Sequence, residues 1–389
     1  MLIAGLSRKG ILMRTQNDPK SNEETFLKSI IRDHFKNQVP YAAKSFNPDD
    51  NDTGQNAEDT GESDTKALNL DGNENPFGPL PLVKNAISSA TDLHLYPDHL
   101  QKNMRYALSL YTGVSSNNII VGNGCDELID LLIKLVIDPG DIVLEASPTF
   151  GMYSFTTKSH AGQLVSIDRM ESFDLDLPAI MDCPERTKLI FLASPNNPTG
   201  NLLLWEDLRT ILKLPILVVV DETYFEFSGI TFTEHLDKYP NLVILRSFSK
   251  WAGLAGLRIG YGMMHRSLVD QLMISKPPYS VNKAAEIAML TSLQHKDQLL
   301  TNVGKLLTER KRMEQLISIL PDWKVWPSHA NFLLCENQKY TGEFLTEHLA
   351  KSGVYVRPFS HPRLGNSIRI SVGLPEDTDF LLKMLSLID

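Results

Sequence analysis

Cysteine is scarce: 389 residues carry three thiols, Cys125, Cys183 and Cys335, an odd number without a metal-binding spacing. That argues against a disulfide frame and against zinc, and it fits reduced thiols in a cytosol, so cytoplasmic residence and no metal are expected. Long apolar runs are missing too. The longest, Leu214 to Val220, is interrupted by Pro215 and falls far short of the roughly 20 residues that cross a bilayer, so no membrane span is expected. Positive charge is not in excess. Lys and Arg total 38 against 47 Asp and Glu, a net charge of −9, which removes the electrostatic footprint of a nucleic-acid binder. What remains, at 42% hydrophobic residues, is a large globular chain with core enough for two or three packing units and small-molecule chemistry as its expected business.

Residues 1–16 carry Arg8, Lys9 and Arg14 and no acid, but the apolar stretch before Arg8 is too short for a secretory signal. A transit peptide and an upstream start before Met13 read alike there. Between Asn47 and Lys66 the composition collapses to polar and small residues with seven acids, too little apolar surface to offset chain entropy, which predicts a mobile linker. From Asn118 onward short β-branched runs alternate with turns and helical stretches. Candidate strands are Asn118–Val121, Ile142–Glu145, Gln163–Ile167, Lys188–Ala193, Ile216–Val220, Leu242–Leu245 and Arg258–Gly262, which predict an α/β fold with a mostly parallel sheet buried on both faces. One long helix is expected from about Val281 to Leu320, bridging to a smaller α+β unit with strands at Asn331–Cys335, Val354–Arg357 and Ser367–Val372. The expected organisation is an arm and acidic linker over 1–70, a large domain over 71–297 and a small domain over 298–389.

The chemistry clusters at strand ends. Ser247-Phe248-Ser249-Lys250 follows the strand ending at Leu245, with Arg258 eight residues after Lys250, at the edge where open α/β sheets bind ligands. A lone lysine is usually a surface charge. Here it stands with two hydroxyls and an arginine, groups that hold a phosphate beside an amine able to form a Schiff base. Asp221-Glu222-Thr223-Tyr224 follows the run Ile216–Val220, so its acid is either a helix cap or the carboxylate partner of a pyridinium nitrogen. Ser194 to Gly200 forms a proline-rich loop that aims an asparagine amide from a third strand end.

Gly122-Asn123-Gly124-Cys125-Asp126-Glu127 lies between a strand and a helix, where backbone amides hold phosphates. A dinucleotide reading competes, since the spacing is G-x-G-x-x-Glu and Glu145 ends the next strand. Against it, Glu127 takes the place of the third glycine, and Lys250, Asp221 and Arg258 are left unexplained. The acids Asp126 and Glu127 must turn outward or cap the helix if the amides are to face a phosphate.

Taken in order from Val39 to Val372, these motifs resemble the fold-type I pyridoxal-phosphate aminotransferases, and within them the histidinol-phosphate aminotransferases. Further pieces of the likeness are Val39-Pro40-Tyr41, Asn73-Glu74-Asn75-Pro76, Leu95-Tyr96-Pro97-Asp98, Ser147 to Tyr153, Ala255 to Arg258 and Ile368 to Gly373. The resemblance implies Lys250 as the Schiff-base lysine and proton shuttle, Asp221 at the ring nitrogen, and Tyr224 with Asn197 at the ring hydroxyl. Arg258, Ser247, Ser249 and the amides of Cys125 and Asp126 would hold the cofactor phosphate, and Phe150 would stack on the ring where such enzymes often carry tyrosine. Tyr96 would reach the phosphate of a partner subunit, which implies a homodimer with shared sites. For substrate, Arg369 would take the carboxylate and Arg357 the phosphate ester, with Tyr41 closing over them and Asn75 beside them. The activity implied is exchange of an amino group between L-glutamate and imidazole-acetol phosphate, giving L-histidinol phosphate and 2-oxoglutarate. An aromatic amino-acid aminotransferase and a threonine-phosphate decarboxylase are the rivals on the same catalytic set.

Overall fold

The computed structural model describes residues 26–36, 38–41 and 67–388. The readings of 1–16 and of the linker 47–66 lie outside the described residues. A contact division separates residues 1–40 from 41–389, and the second unit carries everything that follows.

A short strand β1 (Leu68–Asn69) precedes a seven-stranded sheet made of β2 (Ile119–Gly122), β3 (Ile142–Ser147), β4 (Gln163–Asp168), β5 (Thr187–Ala193), β6 (Leu217–Asp221), β7 (Leu242–Ser247) and β8 (Gly260–Met264). Its order is β2-β8-β7-β6-β5-β3-β4. Every pairing from β7 to β4 is parallel, and β8 runs antiparallel to both of its neighbours. The central strands β6 and β7 are buried at every position, as expected where helices cover both faces and the sequence has no reason to alternate. Two reversals through β8 cancel, so β2 ends at the same edge as the parallel strands. The turns after β2, β3, β5, β6 and β7 therefore meet along one rim. The chain leaves β3 for β4 on one side and returns to β5 on the other, which opens a crevice at that rim.

The helix Gly124–Val136 buries Leu128, Ile129, Leu131, Leu132 and Ile133. The expected single helix from Val281 to Leu320 is two, Lys283–Gln294 and Lys296–Ser318, parted at His295, whose backbone leaves the helical region (φ −116°, ψ 28°). The buried positions Ala285, Ala288, Met289, Ser292, Leu299, Val303 and Leu306 keep helical phase across that break, so periodicity alone reads them as one. The N-cap of the first piece is Asn282, whose side chain accepts from Ala285 N at 2.8 Å.

A second sheet follows: β9 (Trp323–Trp326), β10 (Phe332–Asn337), then β11 (Val354–Tyr355), β12 (Arg357–Pro358) and β13 (Ser367–Ser371). Four of these form an antiparallel sheet in the order β12-β13-β10-β9. The expected strand Val354–Arg357 is split, because β11 pairs with β1 while β12 pairs with β13. Arg258, expected inside a strand, instead ends a short turn with a left-handed backbone (φ 52°), and β8 starts two residues later. Among the described residues no helix is long and apolar enough to cross a membrane.

Candidate functional site

A cavity of about 430 Å³ opens on the rim of the seven-stranded sheet. Tyr41, Cys125, Asp126, Phe150, Asn197, Asp221, Tyr224, Ser247, Ser249, Lys250, Arg258, Arg357 and Arg369 all line it. They come from positions up to 328 residues apart in sequence, Tyr41 to Arg369, and the strand ends bring them together.

Asp221 closes β6 at the cavity floor. It is 6% exposed, and burial pushes its carboxyl above the usual carboxylate range. Three donors oppose that push. Thr223 gives its hydroxyl at 2.6 Å and its amide at 3.0 Å to Oδ1, and Tyr153 gives its hydroxyl to Oδ2 at 2.9 Å. A buried carboxylate so held, with its face on the cavity, fits a cationic partner such as a protonated ring nitrogen. Tyr153 and Thr223 were not singled out from the sequence for this role. The signal for Tyr153 was its place three residues after Phe150 in the same helix start, where one turn carries it under the sheet edge.

Lys250 Nζ donates to Gly72 O at 2.9 Å, reaching across the cavity. Tyr224 is buried, and burial raises its phenol to about 12 against the opposing charge of Arg369. Its oxygen accepts from Asn73 Nδ2 at 2.9 Å.

The helix Gly124–Val136 starts at the rim, so its first amides face the cavity. Gly124 has φ 79°, a left-handed backbone that favours glycine, and a Cβ there would lie 2.5 Å from Arg258 Nη2, so the guanidinium would have to shift. Glu127 caps the helix by accepting from Asn123 N. Asp126 does not turn outward as expected: its carboxylate accepts from Arg258 Nη2 at 2.8 Å, an opposite charge that the fold brings to the helix start. Ser247 Oγ accepts from Ser249 N at 3.0 Å. Amides at a helix start, two hydroxyls and an arginine make a donor set for a phosphate, and with Asp221 and Lys250 the residues present fit pyridoxal phosphate.

The opposite wall belongs to the second sheet. Arg369 is buried, donates through Nη1 to Asn197 Oδ1 at 2.7 Å and through Nη2 to Asp71 O, and its Nε has no partner among the described residues. Arg357 sits beside it in register on β12. Tyr41 packs edge-on to Phe150, with ring centroids 6.4 Å apart.

Two expected residues are placed elsewhere. Asn75 is buried outside the cavity lining, donating to Trp251 O at 2.9 Å and accepting from Phe77 N at 3.0 Å, so both ends of its amide hold the loop. Tyr96 is 81% exposed and stacks on Tyr279 at 4.5 Å, away from its own chain's cavity.

Residues 65–384 match the family model of class I and II aminotransferases. A histidinol-phosphate aminotransferase of Dehalococcoides mccartyi is 46% identical over 319 residues, covering 82% of this chain and 89% of the relative. The chloroplastic histidinol-phosphate aminotransferase 1 of Arabidopsis thaliana is 39% identical over 371 residues, 94% of this chain and 87% of the relative. The crystal structure of the Sinorhizobium meliloti histidinol-phosphate aminotransferase in complex with pyridoxal 5'-phosphate superposes with a TM-score of 0.77 at 27% identity, covering 82% of this chain and 90% of that one.

Proposed function

The chain belongs to the class I and II aminotransferases, and within them to the histidinol-phosphate aminotransferases; from that premise we propose how its own residues carry the reaction. The enzyme is a pyridoxal-phosphate-dependent transaminase that moves an amino group between L-glutamate and imidazole-acetol phosphate, giving L-histidinol phosphate and 2-oxoglutarate.

When bound, pyridoxal phosphate supplies the electron sink for negative charge at the substrate α-carbon. Lys250 would hold it through its side-chain amine and move the proton at that carbon. Asp221 keeps the ring nitrogen protonated, which its buried setting and three donors equip it to do. Tyr224 and Asn197 bond the ring oxygen, and Phe150 covers one face. Arg258, Ser247, Ser249 and the amides of Cys125 and Asp126 hold the phosphate, with Asp126 yielding part of its pairing to Arg258. Arg369 orients the substrate carboxylate, Arg357 takes the distal anion, and Tyr41 excludes water above them.

The single observation that supports these roles is the convergence of Lys250, Asp221 and Arg369 on one cavity from three separate strands or strand ends. Tyr96 turned away from its own cavity supports a homodimer in which it serves the partner's site, with exposed Leu93, Leu95 and Tyr279 beside it as the covered face. The two sheets support a large domain over 71–297 and a small one over 298–389, after an arm and linker over 1–70. Three unpaired cysteines support a reducing compartment, the cytosol. The test is a steady-state assay with L-glutamate and imidazole-acetol phosphate. Ping-pong kinetics in the native protein and loss of at least about a thousandfold in kcat in Lys250→Ala are expected; turnover surviving in the variant would overturn the assignment of Lys250.

A further inference from the structure

Asn73 lies in the loop after β1, 1% exposed, with a left-handed backbone (φ 51°) that asparagine tolerates better than most side chains. Its amide is bonded at both ends. The backbone N–H of Asn73 donates to Ser371 Oγ at 2.8 Å, and the Ser371 hydroxyl proton goes back to Asn73 Oδ1 at 3.0 Å. Asn331 Nδ2 holds the Asn73 carbonyl at 3.0 Å. With Oδ1 so engaged, Nδ2 is the end that faces the Tyr224 hydroxyl at 2.9 Å. An amide nitrogen only donates, so the phenol oxygen accepts there. The one phenolic proton is then left for an acceptor in the cavity that Tyr224 lines.

We propose that Asn73, locked by Ser371, is a positioning residue that sets the polarity of the Tyr224 hydroxyl and makes it donate to an anionic oxygen in the cavity. The inference rests on the reading of Tyr224 as the partner of the cofactor's ring oxygen. Ser371 belongs to the same strand as Arg369, so the segment that orients the substrate carboxylate also holds the lock.

The experiment is a pH titration of the visible absorbance of the holoenzyme. A hydrogen bond donated to the ring oxygen favours its anion, so losing the donor raises the pH at which the bound cofactor changes colour. In Asn73→Asp the carboxylate can only accept, and it turns the Tyr224 proton away from the cavity. The expected result is an upward shift of about one pH unit, in the same direction as Tyr224→Phe. Ser371→Ala, which releases the amide without adding charge, is expected to give a smaller shift in that direction and carries the test if Asn73→Asp fails to fold. In the Tyr224→Phe background Ser371→Ala should not shift the titration further, and Asn73→Asp should shift it less than in the native background, by the effect of its added charge alone. An unmoved titration in Asn73→Asp, or a shift of equal size with and without the Tyr224 hydroxyl, would overturn the proposal. If Tyr224→Phe alone leaves the titration in place, the reading of Tyr224 itself falls, and the lock with it.

Discussion

The hydroxyl of Tyr153, on a side chain with no solvent exposure, donates to Asp221 Oδ2 at 2.9 Å beneath the cavity floor. A bond of that kind to a charged group contributes about 1.5–3 kcal/mol, and here it favours the ionised form of Asp221 against the burial that pushes its carboxyl up. Tyr153→Phe keeps the ring stacked 4.6 Å from Phe191 and removes only the donor. A fall of about tenfold or more in kcat, with KM for L-histidinol phosphate moving much less, is expected from steady-state kinetics. Equal effects on both constants would mean that Tyr153 shapes binding and does not act through Asp221.

Gly124→Ala tests the phosphate cradle. The left-handed backbone alone costs an L-residue about 1–2 kcal/mol, and the added methyl would press on Arg258. Cofactor dissociation, followed by loss of colour on dilution, should become about tenfold or more easier, with the far-ultraviolet dichroism unchanged.

Arg357→Ala removes a guanidinium from the cavity lining. A dianionic phosphate ester loses more from that change than a single carboxylate, so KM for L-histidinol phosphate should rise by about tenfold or more, and KM for L-glutamate by less. A parallel rise for both would mean that Arg357 meets an anionic group of each substrate alike and does not single out the phosphate ester.

Behind the site, Glu226 shares the single cation of Arg246 with Glu222, which is fully buried and bonded to Arg246 Nε at 2.9 Å. Burial pushes the Glu226 carboxyl from 4.5 up to about 7, opposed by Arg246, and Tyr111 donates to it at 3.0 Å. Because the folded pKa is raised, the folded state holds the extra proton. The resulting stability is complete below about pH 4.5 and is lost as the pH rises through 7. Glu226→Gln keeps the acceptor for Tyr111 without the charge. Relative to the native protein it should gain stability on the order of 3 kcal/mol by pH 8, and the difference should shrink toward pH 5, as read from urea midpoints across that range. A difference that does not change with pH would show that Glu226 is already paired when ionised.

Much of this was legible in the sequence where one physical cause dominates. Continuous β-branched runs such as Ile216–Val220 are long enough, and apolar enough on both faces, to leave only a doubly covered strand, and the polar groups that follow them fall on the rim. What was not legible depends on contacts between distant segments. The break at His295 is invisible because the buried positions stay in phase through it. Asn73 and Asn75 look equivalent in Asn73-Glu74-Asn75-Pro76, yet only the left-handed turn at Asn73 carries its amide to Tyr224 and leaves Asn75 on Trp251. Asp126 was expected to avoid the phosphate cradle, and the position of Arg258, set by its own left-handed backbone, draws it in.

The most direct measurement is the absorbance spectrum of the purified protein before and after addition of L-histidinol phosphate, with Lys250→Ala beside it. The expected result is a yellow protein that bleaches with L-histidinol phosphate, and no such bleaching turnover in the variant. A yellow protein that ignores L-histidinol phosphate but bleaches with phenylalanine or tyrosine would contradict the substrate, and a colourless protein unable to take up the cofactor would contradict the chemistry altogether.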